Sequence, residues 1–404
     1  MDDRRLCQEA EALLPGAIEL RRRIHRRPEL GLELPETQGA VLEALQGAGV
    51  EIHTGGRTSA VIAVLEGARP GPTLLLRADM DALPMPEDTG LDFASEHEGR
   101  MHACGHDAHV AMLAGAVRLL EAHRDELAGC VKFVFQPGEE GYAGARVLIE
   151  EGLLDGPPRV DAAFALHVDS TLPAGVFSTR PGPLMASGDV FSIDIEGRGG
   201  HAALPHLTRD PVPVAAELVL AIQSLVARRV NAFDPAIVSV TRLRAGTTSN
   251  VIPEGANLQG TIRAVSDATR RRVRAKLEAL VAGLAAAHEV EIRLHVLPGY
   301  PVTVNDAGFA GFASRVASEL LGEERTVAMP SPVMGAEDFS YILERVPGAL
   351  AFLGARLEGE GGGAPLHSNR MVLDERVMAT GMALHAGVAL RFLGGDAGPG
   401  GSSG

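Results

Sequence analysis

Cysteine, histidine and paired carboxylates fall at the ends of apolar β-type runs in the first half of this 404-residue chain. The run TLLLRAD (73–79) leads into Asp79 and Asp81. The run VKFVFQ (131–136) leads into Pro137-Gly138-Glu139-Glu140. The run DAAFALH (161–167) closes on His167. Between the first two comes His102-Ala103-Cys104-Gly105-His106-Asp107. Thiolate, imidazole and carboxylate are the ligands of zinc and its neighbours. Cys104 and His106 flank a glycine that frees the backbone to aim both at one cation cluster. A cation-bound cysteine is deprotonated and can serve as an anionic, even bridging, ligand. In the Glu139-Glu140 pair one carboxylate can bind metal. The other can take the proton of a water whose pKa a metal lowers to about 7, then deliver it to a leaving amine.

Each group alone has an ordinary explanation. A strand-end histidine is usually structural, a Glu-Glu pair a solvated turn, an Asp-x-Asp a helix cap. Cys104 alone could be a redox thiol, although the chain has no Cys-x-x-Cys. These explanations fail jointly, because ligands of open α/β sheets gather beyond the carboxyl ends of the strands, where all these groups fall. His102 and His109 flank the cluster and are expected to support it from behind. His25, His53, His97, His123, His288, His295 and His385 read as surface or core residues.

The elements needed to position this cluster follow from periodicity. Helical spacing covers 11–27, 35–48 and 107–123, the last with Asp107 as N-cap or first-turn acid. The runs at 60–66, 73–79, 131–136 and 161–167 are near-continuously apolar, as strands buried on both faces are. From 190 the pattern changes to alternating strands (190–197, 237–246, 257–265, 290–298) with helices near 211–230 and 267–288. That is the signature of an antiparallel sheet covered on one side. Helices return at 306–321 and 374–393. We therefore expect a discontinuous α/β domain (1–186 and 300–393), a mixed sheet flanked by helices, interrupted by a smaller α+β domain (187–299). A disordered glycine-rich tail (394–404) should follow, with a loop at 359–363.

Composition excludes other classes. A net charge of −15, 4% aromatics and no Trp are wrong for a nucleic-acid binder; the basic run near Arg270 reads as a solvated helix face. No uninterrupted apolar run reaches the length of a membrane span. The acidic, amphipathic start lacks a signal peptide's pattern. Three cysteines suit a reducing cytoplasm rather than a disulfide framework.

The chain resembles the aminoacylase and carboxypeptidase G type of co-catalytic metallopeptidases. It looks closest to their amidohydrolase branch of hippurate hydrolases, N-acyl-amino-acid amidohydrolases and auxin-conjugate hydrolases. The resemblance rests on RRRIHRRPELGLE (21–33), LLRADMDALP (75–84), MHACGHDAH (101–109), FQPGEEG (135–141), GRGGHAALPH (197–206), SNVIP (249–253), GTIR (260–263), GAEDFS (335–340) and LHS (366–368). It implies a zinc-peptidase-like catalytic domain with an inserted lid or dimerisation domain, and two divalent ions (Zn, Mn, Co or Ni). The ligands would be Cys104, His106 rather than His102, Glu140, His167 and His367. Glu139 would be the general acid/base and Asp81 the residue that orients a ligand or that base. His201 would stabilise the oxyanion, and Asn250 and Arg263 would hold the substrate carboxylate. The wider family often has His where this chain has Asp79, which argues against a metal role for Asp79. The implied reaction is hydrolysis of N-acyl amino acids, in a homodimer or homotetramer. The alternatives are a dipeptidase or carboxypeptidase on the same scaffold, and a non-catalytic metal-binding relative.

Overall fold

The computed structural model describes residues 2–359 and 363–394. The expected disordered tail from 395 onward, and the centre of the expected 359–363 loop, lie outside the described residues.

The chain begins with α1 (Asp3–Arg26), α2 (Pro35–Ala44), β1 (Glu51–Thr54), β2 (Val61–Glu66) and β3 (Arg69–Asp79). Next come α3 (His106–Ala122), β4 (Ala128–Gln136), α4 (Gly144–Glu150), β5 (Ala162–Pro173) and β6 (Phe177–Thr179). The middle holds β7 (Gly182–Met185), β8 (Ser187–Glu196), β9 (Gly200–His201), α5 (Pro211–Arg229) and β10 (Ala236–Ala245). It continues with β11 (Val251–Ile252), β12 (Gly255–Ala264), α6 (Asp267–His288) and β13 (Glu291–Leu297). The last part has β14 (Thr303–Asn305), α7 (Ala307–Leu321), β15 (Thr326–Ala328), α8 (Ser340–Leu343), β16 (Gly348–Arg356) and α9 (Val377–Gly394). Two compact units result. One comprises Met1–Gly182, Val304–Ser331 and Asp338–Gly404; the other comprises Pro183–Thr303 and Pro332–Glu337.

The first unit is a mixed α/β layer structure. Its eight-stranded sheet runs β1-β2-β4-β3-β5-β16-β6-β15, with β4, β3, β5 and β16 parallel at its centre. The apolar runs do become strands buried on both faces, because α1, α3, α7 and α9 contribute to the same core. Helices α3 and α9 meet through reciprocal glycines. A Cβ on Gly115 would lie 1.9 Å from Met382 Sδ, and one on Gly381 would lie 2.0 Å from Met112 Sδ. Helix α1 starts earlier than its periodicity suggests, since Asp2 caps it by accepting from the Arg4 N–H and its first turns bury Leu6 and Ala10. Strand β5 runs past His167 to Pro173, so His167 lies within a strand rather than at its end. The extension is held by the parallel β16, with Phe352 opposite His167, whereas the β3 pairing stops at Ala165. His167 thus sits where β5 loses one neighbour.

The second unit is a four-stranded antiparallel sheet, β10-β12-β8-β13. One face packs on α5 and α6 through Phe191, Ile193, Leu218, Ile222, Val273 and Leu277, which is the cause of the alternation read in the sequence. Among the described residues two helices, α5 and α9, are long and apolar enough to cross a membrane by length and composition. Helix α9 is 78% buried and its apolarity is that of a core helix, whereas α5 is only 28% buried and leaves Leu220 exposed.

Candidate active site

Helix α3 starts at His106 on a glycine. Gly105 has φ 83°, and a Cβ there would stand 2.5 Å from Val168 Cγ2. Only glycine satisfies both conditions, and the turn it makes brings Cys104 and His106 to one side. The thiol Sγ lies 3.5 Å from His167 Nε2. Ligand atoms of Cys104, His106 and His167 all fall within 4.8 Å of one another, as do those of Cys104, Glu140 and His367, and those of His106, Glu139 and Glu140. The five residues expected as ligands are therefore brought together, with Cys104 common to two of the triads.

The imidazoles are oriented by carbonyls. His106 Nδ1 donates to the Asp81 backbone O at 2.8 Å, and His167 Nδ1 donates to the Val168 O at 2.7 Å. When neutral, each ring is thereby left with Nε2 as the lone-pair atom, and these Nε2 atoms face the cluster. His106 Nε2 is buried and forms no hydrogen bond among the described residues. His367 has left-handed backbone (φ 65°), a conformation rare outside glycine and concentrated at functional sites. Its N–H donates to the Ala103 O at 2.8 Å, and its Nε2 lies 3.3 Å from Glu140 Oε1.

Charge in the cluster is polarised. Hydrogen bonds to Cys104 and Glu140 push His367 up to about 10. Burial opposes a charge on His106, but Asp79 and Cys104 outweigh it and its pKa stands well above the ordinary value. Burial also opposes ionisation of Glu140, yet His367 and His106 hold its carboxyl below the usual range. Burial, with His109 alongside, drops His167 to about 3. Anionic and imidazole ligands converge here, and His106 Nε2 is buried without a hydrogen bond among the described residues; this donor set fits divalent ions of the zinc type.

The sequence pattern of "Peptidase family M20/M25/M40" matches residues 75–391. The chain belongs to that family. It is 40% identical over 379 residues to Thermostable carboxypeptidase 1 of Saccharolobus solfataricus, covering 93% of this chain and 95% of the relative. It is 38% identical over 377 residues to N-acetylcysteine deacetylase of Bacillus subtilis, covering 93% and 96%. Among solved structures it resembles the Bacillus subtilis YXEP protein, described as a dinuclear metal binding peptidase from the M20 family. That likeness has a TM-score of 0.80 at 34% identity and covers 95% of this chain and 99% of that one.

In this member of the M20/M25/M40 family the ligand cluster is braced by buried side chains. Asp81 accepts from the backbone N–H of Glu139 and of Glu140, both at 2.9 Å, so one carboxylate fixes the turn that carries both glutamates. Asp79 is spent on its neighbours: Oδ1 accepts from His109 Nδ1 and Oδ2 from Arg77 Nη1, each at 2.5 Å. His109 Nε2 in turn accepts the Val168 N–H at 2.8 Å, so both its nitrogens are engaged beside His167. Arg77 also donates to Asp338 at 2.8 Å, and the Asp338 N–H donates to Glu139 Oε1 at 3.4 Å. His102 is buried but stands outside the ligand cluster, its ring 6.2 Å from that of His25.

The three residues expected to touch substrate lie on the second unit. His201 and Asn250 come together on the β9–β11 pair, where the Ala202 N–H donates to the Asn250 O at 3.1 Å; both are exposed. Arg263 lies apart on β12, half-buried, with Nη1 donating to the Met334 O at 3.0 Å. Sequence reasoning missed Arg77 and Asp338. The available signals were an arginine inside the apolar run TLLLRAD and a second acid in GAEDFS.

Proposed function

We propose that this chain is a metal-dependent amidohydrolase that cleaves the amide bond of N-acyl amino acids, releasing a carboxylic acid and a free amino acid. One observation carries this reading. Two imidazole Nε2 atoms, a thiol, a carboxylate and His367 converge within ligand distance, and a second carboxylate, Glu139, lies beside them on a braced turn. Cys104, His106, Glu140, His167 and His367 would hold two divalent ions, Zn, Mn, Co or Ni. Such ions, when bound, lower the pKa of a water and polarise an acyl carbonyl.

Glu139 takes the proton from the attacking water and later gives it to the departing nitrogen, so the hydroxide goes to the acyl carbon and the C–N bond breaks. Asp81 and Asp338 act by holding Glu139 at its backbone and at Oε1. His201 donates to the developing oxyanion; Asn250 and Arg263 bind the substrate carboxylate, the guanidinium as a two-pronged donor. The domain boundaries proposed are 1–186 with 300–393 for catalysis and 187–299 for a lid and dimerisation domain. The exposed apolar side of α5 and the edge strand β10, with Ile237 and Leu243 exposed, support a homodimer, a homotetramer being its extension. Free thiols at Cys7, Cys104 and Cys130 support a cytoplasmic setting.

A carboxypeptidase reading is favoured by one observation, the 40% identity to a carboxypeptidase. The discriminating experiment measures amino acid release from N-acetyl, N-benzoyl and N-indoleacetyl amino acids and from unblocked dipeptides, using chelator-stripped protein with and without added Mn or Zn. Metal-restored cleavage of the acyl conjugates alone supports the proposal. Preferential cleavage of dipeptides moves the assignment to peptidase, and no turnover with metal bound overturns both.

A further inference from the structure

The segment RRRIHRRPELGLE lends no atom to the ligand cluster, yet it supplies two of the most deeply buried polar side chains of the first unit. Arg21 is 1% exposed and His25 is 0% exposed. Both project from α1 onto Asp107. Arg21 Nε lies 3.0 Å from Asp107 Oδ2, and His25 Nδ1 lies 2.8 Å from the same oxygen. The far side of each is also held: His25 Nε2 reaches Glu87 Oε1 at 3.1 Å, and Arg21 Nη1 reaches Glu375 Oε1 at 2.8 Å.

Asp107 follows His106 directly, in the first turn of α3. That turn is otherwise held from the sheet, by His106 Nδ1 on the Asp81 O and by His109 between Asp79 and the Val168 N–H. Its N-cap is Gly105, which offers no side-chain cap and is the most permissive backbone residue. The cluster is also a poor device for stability alone. Asp107 Oδ1 and both ring nitrogens of His102 are buried there without a hydrogen-bond partner among the described residues, and a buried charged cluster left so incompletely satisfied commonly costs more than it returns.

We propose that α1 anchors the metal-ligand turn: Arg21 and His25 grip Asp107 and thereby hold Cys104 and His106 in ligating positions. The proposal rests on the ligand assignment above. Arg21, His25 and Asp107 are positioning residues and touch neither substrate nor metal.

The test uses the full chain in a Cys7→Ser, Cys130→Ser background, so that Cys104 is the only thiol. His25→Gln, Asp107→Asn and the milder Glu375→Gln are compared with Leu6→Ala, which removes buried volume from α1 without touching Asp107. Zinc affinity is measured by competition with a chromophoric chelator, and the rate of Cys104 modification by a disulfide reagent is measured in the stripped protein. The His25 and Asp107 variants should weaken zinc binding by roughly 10- to 100-fold, as loss of groups that orient ligands does. They should also speed modification of Cys104, with smaller changes for Glu375→Gln and none for Leu6→Ala. Unchanged affinity and thiol rate in the variants, or equal changes in Leu6→Ala, overturn the anchor. A parent protein that takes up no zinc instead defeats the metal reading, and the thiol rates then still decide whether α1 holds the turn.

Discussion

Replacing Asp81 by Asn tests how strictly the glutamate turn must be held. The carboxylate accepts two backbone N–H groups, those of Glu139 and Glu140, at 2.9 Å each. An Asn side chain can present only one oxygen, so one N–H faces an amide NH2 and loses its partner. A hydrogen bond to a charged acceptor is worth about 1.5–3 kcal/mol, and a buried donor left unmade costs a similar amount. If that energy now holds Glu139 in its working position, kcat falls by about 10- to 100-fold, at about 1.4 kcal/mol per factor of ten. The loss should appear in kcat for an N-acyl amino acid, with KM changed little. Metal content, measured by elemental analysis, should weaken at most partly, because the cluster's other donors do not hang from that turn. A kcat within twofold of the parent would refute the claim that Asp81 positions the base. Full metal loss with Glu139 still correctly held would refute the division between ligands and brace.

Other consequences are equally direct. Glu139→Gln should keep its metal content and lose roughly 10²- to 10⁴-fold in kcat; near-normal turnover would show that another group moves the proton. Gly105→Ala should abolish metal uptake or folding, since φ is 83° and the new methyl would stand 2.5 Å from Val168 Cγ2; a normally loaded variant would mean that the turn is not the constraint claimed. The His123 pair should give a pH-dependent share of stability. Burial works against its charge, but Glu126 and Glu9 outweigh it and raise its pKa, while the hydrogen bond from His123 holds Glu9 below the usual range. The imidazolium contribution is therefore complete below about 6.5 and fades as pH rises through the higher folded-state value. The Glu9 contribution is present above its ordinary carboxyl value and fades as pH falls through its lowered one. The Tm difference between the parent and His123→Gln should be larger at pH 6 than at pH 9, and a constant difference would contradict the pairing.

What the sequence revealed, and what it hid, follows from the range of the forces involved. The two larger sheets were legible because burial on both faces writes a near-continuous apolar run and burial on one face an alternation at every second residue. Cys104, His167, the histidines around Cys104 and the Glu139-Glu140 pair were legible as candidates because ligand chemistry restricts residue type, whereas choosing His106 over His102 and Glu140 over Glu139 leaned on family resemblance. His367 needed family resemblance, since no local signal marks an exposed histidine in a left-handed loop. The bracing groups were hidden for a different reason. Arg77 meets Asp338 across 261 positions and His25 meets Asp107 across 82, and a partner at that distance leaves no periodicity to read. A charge inside an apolar run announces only that some partner must exist, because an unpaired buried charge is too costly. By that logic Arg77 in TLLLRAD demanded a carboxylate; the fold supplies two, Asp79 and Asp338. The same economy explains why His109, which flanks the cluster in sequence, is braced between Asp79 and the Val168 N–H. With both nitrogens committed, its remaining influence on a bound ion runs through the backbone next to His167.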